Sequence, residues 1–102
     1  MKNLDNKTWE QEAKSNSENI MIDVRTPEEY EEKHIPASKL INVQDAQNFV
    51  SEIEQLDKEK SYYVYCKSGG RSAMACSIME QMGFLDVSNL EGGITNWHGE
   101  VE

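Results

Sequence analysis

Residues 61–84, SYYVYCKSGGRSAMACSIMEQMGF, change character halfway along. The aromatic and β-branched run SYYVYC reads as a buried strand. From Gly69 onward the pattern becomes helical, with Ala73, Cys76 and Met79 on one face and Met74, Ile78 and Met82 beside it. Between the two lies a short polar loop, Lys67, Ser68, Gly69 and Gly70, with Cys66 at its mouth. A strand that runs directly into a helix is half of a βα unit, and the rest of the chain repeats the alternation.

Upstream, NIMIDV (19–24) and KLINV (39–43) are short apolar runs of strand length. TPEEYEEKH begins with Thr26, Pro27 and Glu28, residues that start helices. QDAQNFVSEIEQL spaces Phe49, Val50, Ile53 and Leu56 as a helix does. Near the N-terminus TWEQEAKS predicts a first helix with Asp5, Asn6 and Thr8 as candidate caps, and KNL a weak edge strand. Downstream, DVSNLE predicts a last strand and GGITNWHGEVE a turn with a short helix. Strands alternating with helices imply α/β architecture: a mostly parallel central sheet of about five strands with helices on both faces. No repeat or linker divides the chain, so one domain over residues 1–102 is expected. Ligand sites in such sheets lie beyond the carboxyl ends of the strands, where Cys66 stands.

Composition narrows the function. A net charge of −9 opposes non-specific binding to nucleic acid, and much of the acid, in TPEEYEEKH and SEIEQLDKEK, reads as solvated helix face. No apolar stretch is long enough to span a bilayer, and the polar N-terminus lacks a signal-peptide core, so a cytoplasmic location is expected. Two cysteines do not make a disulfide scaffold. With His34 and His98 they fit no zinc spacing either, and neither a metal nor another cofactor is expected.

The chemistry concentrates on Cys66. First-turn amides of a helix have no partner within it, and the helix dipole adds positive character at the same end. Both favour a thiolate over a thiol. Gly69 and Gly70 allow positive φ, which curls backbone amides inward as an anion-binding nest. Lys67 and Arg71 supply charge, Ser68 and Ser72 hydroxyls. Cys76 falls on the apolar helix face, about 15 Å along a regular helix from Cys66, and reads as packing.

Three segments in order, IDVRTPEEYEEKHIP, YVYCKSGGRSA and NLEGGITNW, resemble the signatures of the single-domain rhodanese family of sulfurtransferases. The resemblance runs from Ile22 to Trp97 and implies a rhodanese-like parallel-sheet fold. It implies that Cys66 accepts sulfane sulfur from a small anionic donor such as thiosulfate. The persulfide would then pass its sulfur to a thiophilic acceptor, a protein or a low-molecular-weight thiol, with no nucleic acid or membrane involved. Lys67 to Arg71 match the loop around the sulfur. Asp23 and Arg25 match a structural element, Arg25 as an ion-pair partner of Glu28 or Glu29, and His34 matches a brace before the KLINV strand. Gly92, Gly93 and Trp97 match a turn and a packed aromatic. One departure stands out: the family pattern often reads HIPGA, and this chain has HIPAS, with Ala37 where glycine is frequent.

Two other readings stay open at this level. Phosphatases and arsenate reductases that share the fold carry five residues between cysteine and arginine; here there are four, a tighter ring suited to one terminal sulfur rather than a phosphoryl group. Domains of this kind also serve as non-catalytic binding or regulatory modules.

Overall fold

A computed structural model describes residues 1–102. The chain forms β1 (Lys2–Leu4), α1 (Asn6–Lys14), β2 (Ile20–Asp23), α2 (Pro27–Glu32), β3 (Lys39–Leu40), α3 (Ala46–Glu54), β4 (Ser61–Tyr65), α4 (Gly70–Gln81) and β5 (Asp86–Leu90), closing on a 3₁₀ turn at Ile94–Asn96. The five strands make one sheet in the order β1-β5-β4-β2-β3, and every pairing is parallel. The expected α/β fold is therefore observed.

The central strand explains why the run at 61–66 is apolar throughout. Strands of a parallel sheet covered by helices on both faces are buried on both. Alternate side chains of β4 enter different cores: Tyr62, Val64 and Cys66 pack with Phe49, Ile53, Cys76 and Met79 from α3 and α4, while Tyr63 and Tyr65 pack with Trp9 and Ala13 of α1. Cys66 therefore belongs, by strand parity alone, to the face that α4 covers.

Helix starts follow local chemistry. Asp5 caps α1 by accepting from the Thr8 amide, so the helix begins at Asn6, two residues before the expected TWEQEAKS segment. Thr26 and Glu29 form a reciprocal capping box at α2, with Pro27 in the first turn.

Three expectations change. The KLINV strand shrinks to Lys39–Leu40, because beyond it only Ile41 and Val43 donate to the extension of β2, at Asp23 and Val24. On α4 the buried stripe is Ser72, Ala75, Cys76 and Met79, and Met74 is exposed; the helix turns its small residues to the sheet so that it can lie close to β4 and β5. Val50 is exposed as well, leaving Phe49 and Ile53 to anchor α3.

Candidate active site

The carboxyl ends of β2 and β4 lie side by side, with Asp23 in register with Tyr65 and the Val24 amide donating to the Tyr65 carbonyl. The segments leaving these strands, Arg25 from one and Cys66 from the other, start from the same end of the sheet.

Gly69 turns the loop. Its φ of +110° suits glycine, and in that conformation its amide donates to Cys66 Sγ at 3.1 Å. The Ser72 hydroxyl lies 3.3 Å from the same sulfur. Burial works against the charged form of the thiol. The Ser72 hydroxyl and the amides of Ser72, Gly69 and Ser68 outweigh it, and Cys66 is held below the ordinary thiol range. The sulfur thus meets amides from the loop and from the first turn of α4. Gly70 departs from expectation: it is the first residue of α4, is not at positive φ, and a Cβ there would meet nothing within 4 Å.

The loop also closes over its own sulfur. Cys66 is 1% exposed, with exposed Lys67, Ser68 and Gly70 around it.

The turn after β5 fixes the opposite side of the loop. The Ile94 amide donates to the Cys66 carbonyl at 2.9 Å, and the Thr95 amide and hydroxyl both donate to the Lys67 carbonyl, at 3.0 and 2.8 Å. With these two carbonyls held away, the following amides are free to face the sulfur. The approach needs glycine at 93, whose φ is +61° and whose Cβ, if present, would sit 2.4 Å from the Lys67 oxygen. This is the physical content of the NLEGGITNW segment. Trp97 is the packed aromatic expected there, edge-on to Trp9 at 5.6 Å.

The arginines are committed to structure. Arg71 makes a bidentate pair with Glu29 at 2.7 and 2.9 Å, tying the first turn of α4 to α2. The Arg71 guanidinium pulls the Glu29 carboxyl down to about 2. Arg25 does not pair with Glu28 or Glu29. It pairs with Asp23, two residues back, Nε to Oδ1 at 2.9 Å and Nη2 to Oδ2 at 2.7 Å, and donates to the Lys33 carbonyl. Glu29 is occupied by Arg71, and Asp23 is wholly buried, so Arg25 is the cation that compensates it.

His34 packs against Tyr30 of α2. Its Nδ1 lies 2.8 Å from the Tyr30 carbonyl, its ring stacks on Tyr30, and its backbone exchanges hydrogen bonds with Glu102. It is not among the groups that hydrogen-bond the sulfur. Cys76 is buried, and burial pushes its thiol up to about 12, consistent with packing. Lys67 borders a cavity of about 300 Å³ with Arg25, Lys33, Glu29, Glu32, Ile94 and Thr95. No group of three or more His, Cys, Asp or Glu side chains is arranged to hold a metal ion.

One residue of the site was missed. Asn89, buried on β5, meets the Ser72 hydroxyl at 2.5 Å. A side-chain amide three residues before Gly92 was present in NLEGG, but its parity toward α4 becomes visible only with the strand register.

Comparison with known proteins places these features. The family model for the Rhodanese-like domain matches residues 6–100. YtwF of Bacillus subtilis, whose name proposes a sulfurtransferase, is 34% identical over 102 residues, 100% of this chain and 95% of its own length. A protein named sulfurtransferase from Allochromatium vinosum is 33% identical over 98 residues, 94% of this chain and 89% of its own. Among solved structures, a rhodanese-like domain protein from Staphylococcus aureus superposes with a TM-score of 0.84 at 30% identity, covering 100% of this chain and 97% of that one.

Proposed function

The chain belongs to the rhodanese-like domain family, and from that premise we propose that it is a sulfurtransferase that carries sulfane sulfur as a persulfide on Cys66. The sulfurtransferase names of its relatives support sulfur transfer in general. The observation that carries the finer reading is the convergence of the Gly69 amide and the Ser72 hydroxyl on Sγ, which keeps the nucleophilic form accessible.

With thiosulfate as donor, the Cys66 thiolate attacks the outer sulfur. A new S–S bond forms, the S–S bond of thiosulfate breaks, and sulfite leaves with the electron pair. The terminal sulfur of the persulfide bears the negative charge, and oriented amides stabilise it without reorganising. A second nucleophile, cyanide in an assay or a thiolate in a protein or small molecule, then takes that sulfur and regenerates the thiolate. Two half-reactions with a covalent intermediate predict ping-pong kinetics. Lys67 and Lys33, bordering the cavity beside the loop, attract the anionic donor. Arg71 serves instead to hold the loop, because Glu29 neutralises it.

Sulfur rather than phosphate is favoured by the size of the ring. Four residues separate Cys66 from Arg71, and the donors close on Sγ itself. A phosphoryl group needs a wider cradle to accept its three oxygens. A closed loop also suits a carrier that shields a persulfide between half-reactions.

Intact-mass measurement after thiosulfate treatment tests the proposal. The expected result is a gain of one sulfur atom on Cys66 and loss of thiosulfate:cyanide turnover in Cys66→Ser. Undiminished turnover in that variant overturns it, as does an unmodified Cys66 in a protein that still binds partner proteins, the result expected of a docking module.

A further inference from the structure

We propose that Asn89 is a positioning residue whose side-chain amide, by turning about its own bond, aims the single proton of the Ser72 hydroxyl toward the Cys66 sulfur or away from it. The inference deepens the reading of Cys66 as the sulfur-carrying nucleophile and rests on it.

The Ser72 oxygen lies 2.5 Å from Asn89 Oδ1, 3.2 Å from the Gly69 carbonyl and 3.3 Å from Cys66 Sγ. A hydroxyl has one proton to give and two lone pairs. It cannot donate to all three. The Gly69 carbonyl also accepts from the Ala73 amide, and Asn89 Oδ1 is the nearest of the three acceptors, so the competition that bears on the sulfur is chiefly with Asn89.

With Oδ1 facing Ser72, the amide can only accept, and it draws the hydroxyl proton to itself. Sulfur and hydroxyl can then bond only if the thiol donates, which is the pattern of neutral Cys66. Turned by half a revolution, the amide presents Nδ2, donates to the Ser72 oxygen and frees the hydroxyl proton for a thiolate. Oxygen and nitrogen of an amide occupy nearly the same volume, so both patterns fit the same space, and the turn gives up the long 3.5 Å contact of Nδ2 with the Gly69 carbonyl.

The outer end of the chain permits the turn. Asn89 Nδ2 lies 3.0 Å from Asn3 Oδ1, and Asn3 is exposed on the edge strand, so its own amide can reverse and donate to Asn89 Oδ1. On ionisation the thiol proton leaves to water, and the rest of the change is reorientation.

Other groups that sense the sulfur's charge are Arg71 on α4, occupied by Glu29 of α2, and un-ionised Cys76 on α4; at the end of β2, Asp23 is closed by Arg25. None of these side chains hydrogen-bonds Ser72 or Asn89.

Titration of Cys66 by the ultraviolet absorbance of its thiolate, in a Cys76→Ser background, tests the inference without requiring turnover. Asn89→Leu, which adds no charge, shifts the titration midpoint by about half a pH unit, and Asn89→Asp, which can only accept, raises it. In a Ser72→Ala background Asn89→Leu has no effect, because Asn89 acts only through that hydroxyl. Asn3→Asp, a surface change that does not threaten folding, holds Nδ2 outward, raises the midpoint, and is likewise silent beside Ser72→Ala. An unmoved midpoint in folded Asn89→Leu overturns the proposal, and so does a shift of equal size in the Ser72→Ala background. If Asn89→Leu does not fold, an unmoved midpoint in Asn3→Asp overturns it. Failure of sulfur loading with these midpoint shifts intact would refute the sulfur-carrier reading alone.

Discussion

Replacing Ala37 with glycine should stabilise this protein. Ile35, Pro36, Ala37 and Ser38 form a β-turn closed by the Ser38 amide on the Ile35 carbonyl at 3.1 Å, and Ala37 occupies its third position with φ of +71°. Proline second and positive φ third is the pattern of a type II turn, which calls for glycine at the third position. Ala37 is the only non-glycine residue of the chain with positive φ. The turn is held by its surroundings: Tyr65 Oη accepts from the Ile35 amide and meets Ser38 Oγ, and Tyr30 Oη donates to the Ser38 carbonyl. A left-handed conformation costs a non-glycine residue roughly 1–2 kcal/mol. Glycine returns about 0.4–1 kcal/mol of that through the greater freedom of the unfolded chain. The Ala37 methyl is exposed, so little burial is lost. The net gain expected is about 0.5–1 kcal/mol, or about 2–6 °C in melting temperature for a domain of this size. Urea unfolding should show a higher midpoint at unchanged slope, and Ala37→Val, β-branched at positive φ, should move it the other way. A neutral or destabilising Ala37→Gly would refute the reasoning, because the strain assigned to this position would then not exist.

Gly93→Ala should abolish sulfur loading and destabilise the fold by about 2 kcal/mol or more, since the new Cβ meets the Lys67 and Cys66 carbonyls at 2.4 and 2.6 Å. Gly70→Ala, entering open space at a helical position, should fold normally; chemical denaturation and mass measurement on the pair separate the two glycines. Glu29→Gln should lower stability at neutral pH and flatten the acid side of the stability curve. The Glu29 carboxyl is depressed from 4.5 to about 2, so its contribution is complete above pH 4.5 and is lost as pH falls toward 2, a limb that melting curves across that window should show in the parent and not in the variant. Raising salt should leave the Cys66 titration midpoint nearly unchanged, whereas a marked rise would mean that mobile cations such as Lys67 hold the thiolate.

Much of this was legible in sequence because the decisive signals are local. A strand such as SYYVYC, buried on both faces, announces a central parallel strand, and Cys66 followed by Gly69 and a helix announces an amide nest. Ala37 was legible as an oddity against the family pattern; its meaning required φ. What sequence could not supply was pairing across the fold. The matched segment suggested Arg25 to Glu28 or Glu29, yet Glu29 lies 42 residues from the arginine it binds, Arg71. Which of two acidic residues meets which arginine depends on how α2 packs beside α4, and no short-range pattern encodes that. The same holds for Asn89, whose role follows from β5 lying next to β4, and for the closure of the loop over Cys66.

These pairings change the electrostatic account of the sulfur. An acidic chain that stabilises an anion invites an explanation through Arg71 and Lys67, but Arg71 is neutralised by a carboxylate and Lys67 is exposed, where water screens it. The groups that act on Sγ directly are dipoles: the Gly69 amide, its neighbours at Ser68 and Ser72, and one hydroxyl. Dipoles fall off faster with distance than charges, so their effect depends on orientation held to a fraction of an ångström. That orientation is set from behind, by the Ile94 and Thr95 amides that hold the Cys66 and Lys67 carbonyls away from the sulfur. A flip of the Lys67–Ser68 peptide would replace the Ser68 donor by an acceptor and turn stabilisation into repulsion. The glycine turn after β5 and the loop after β4 are therefore one device, and the net charge of the surface has little bearing on the ionisation of the thiol beneath it.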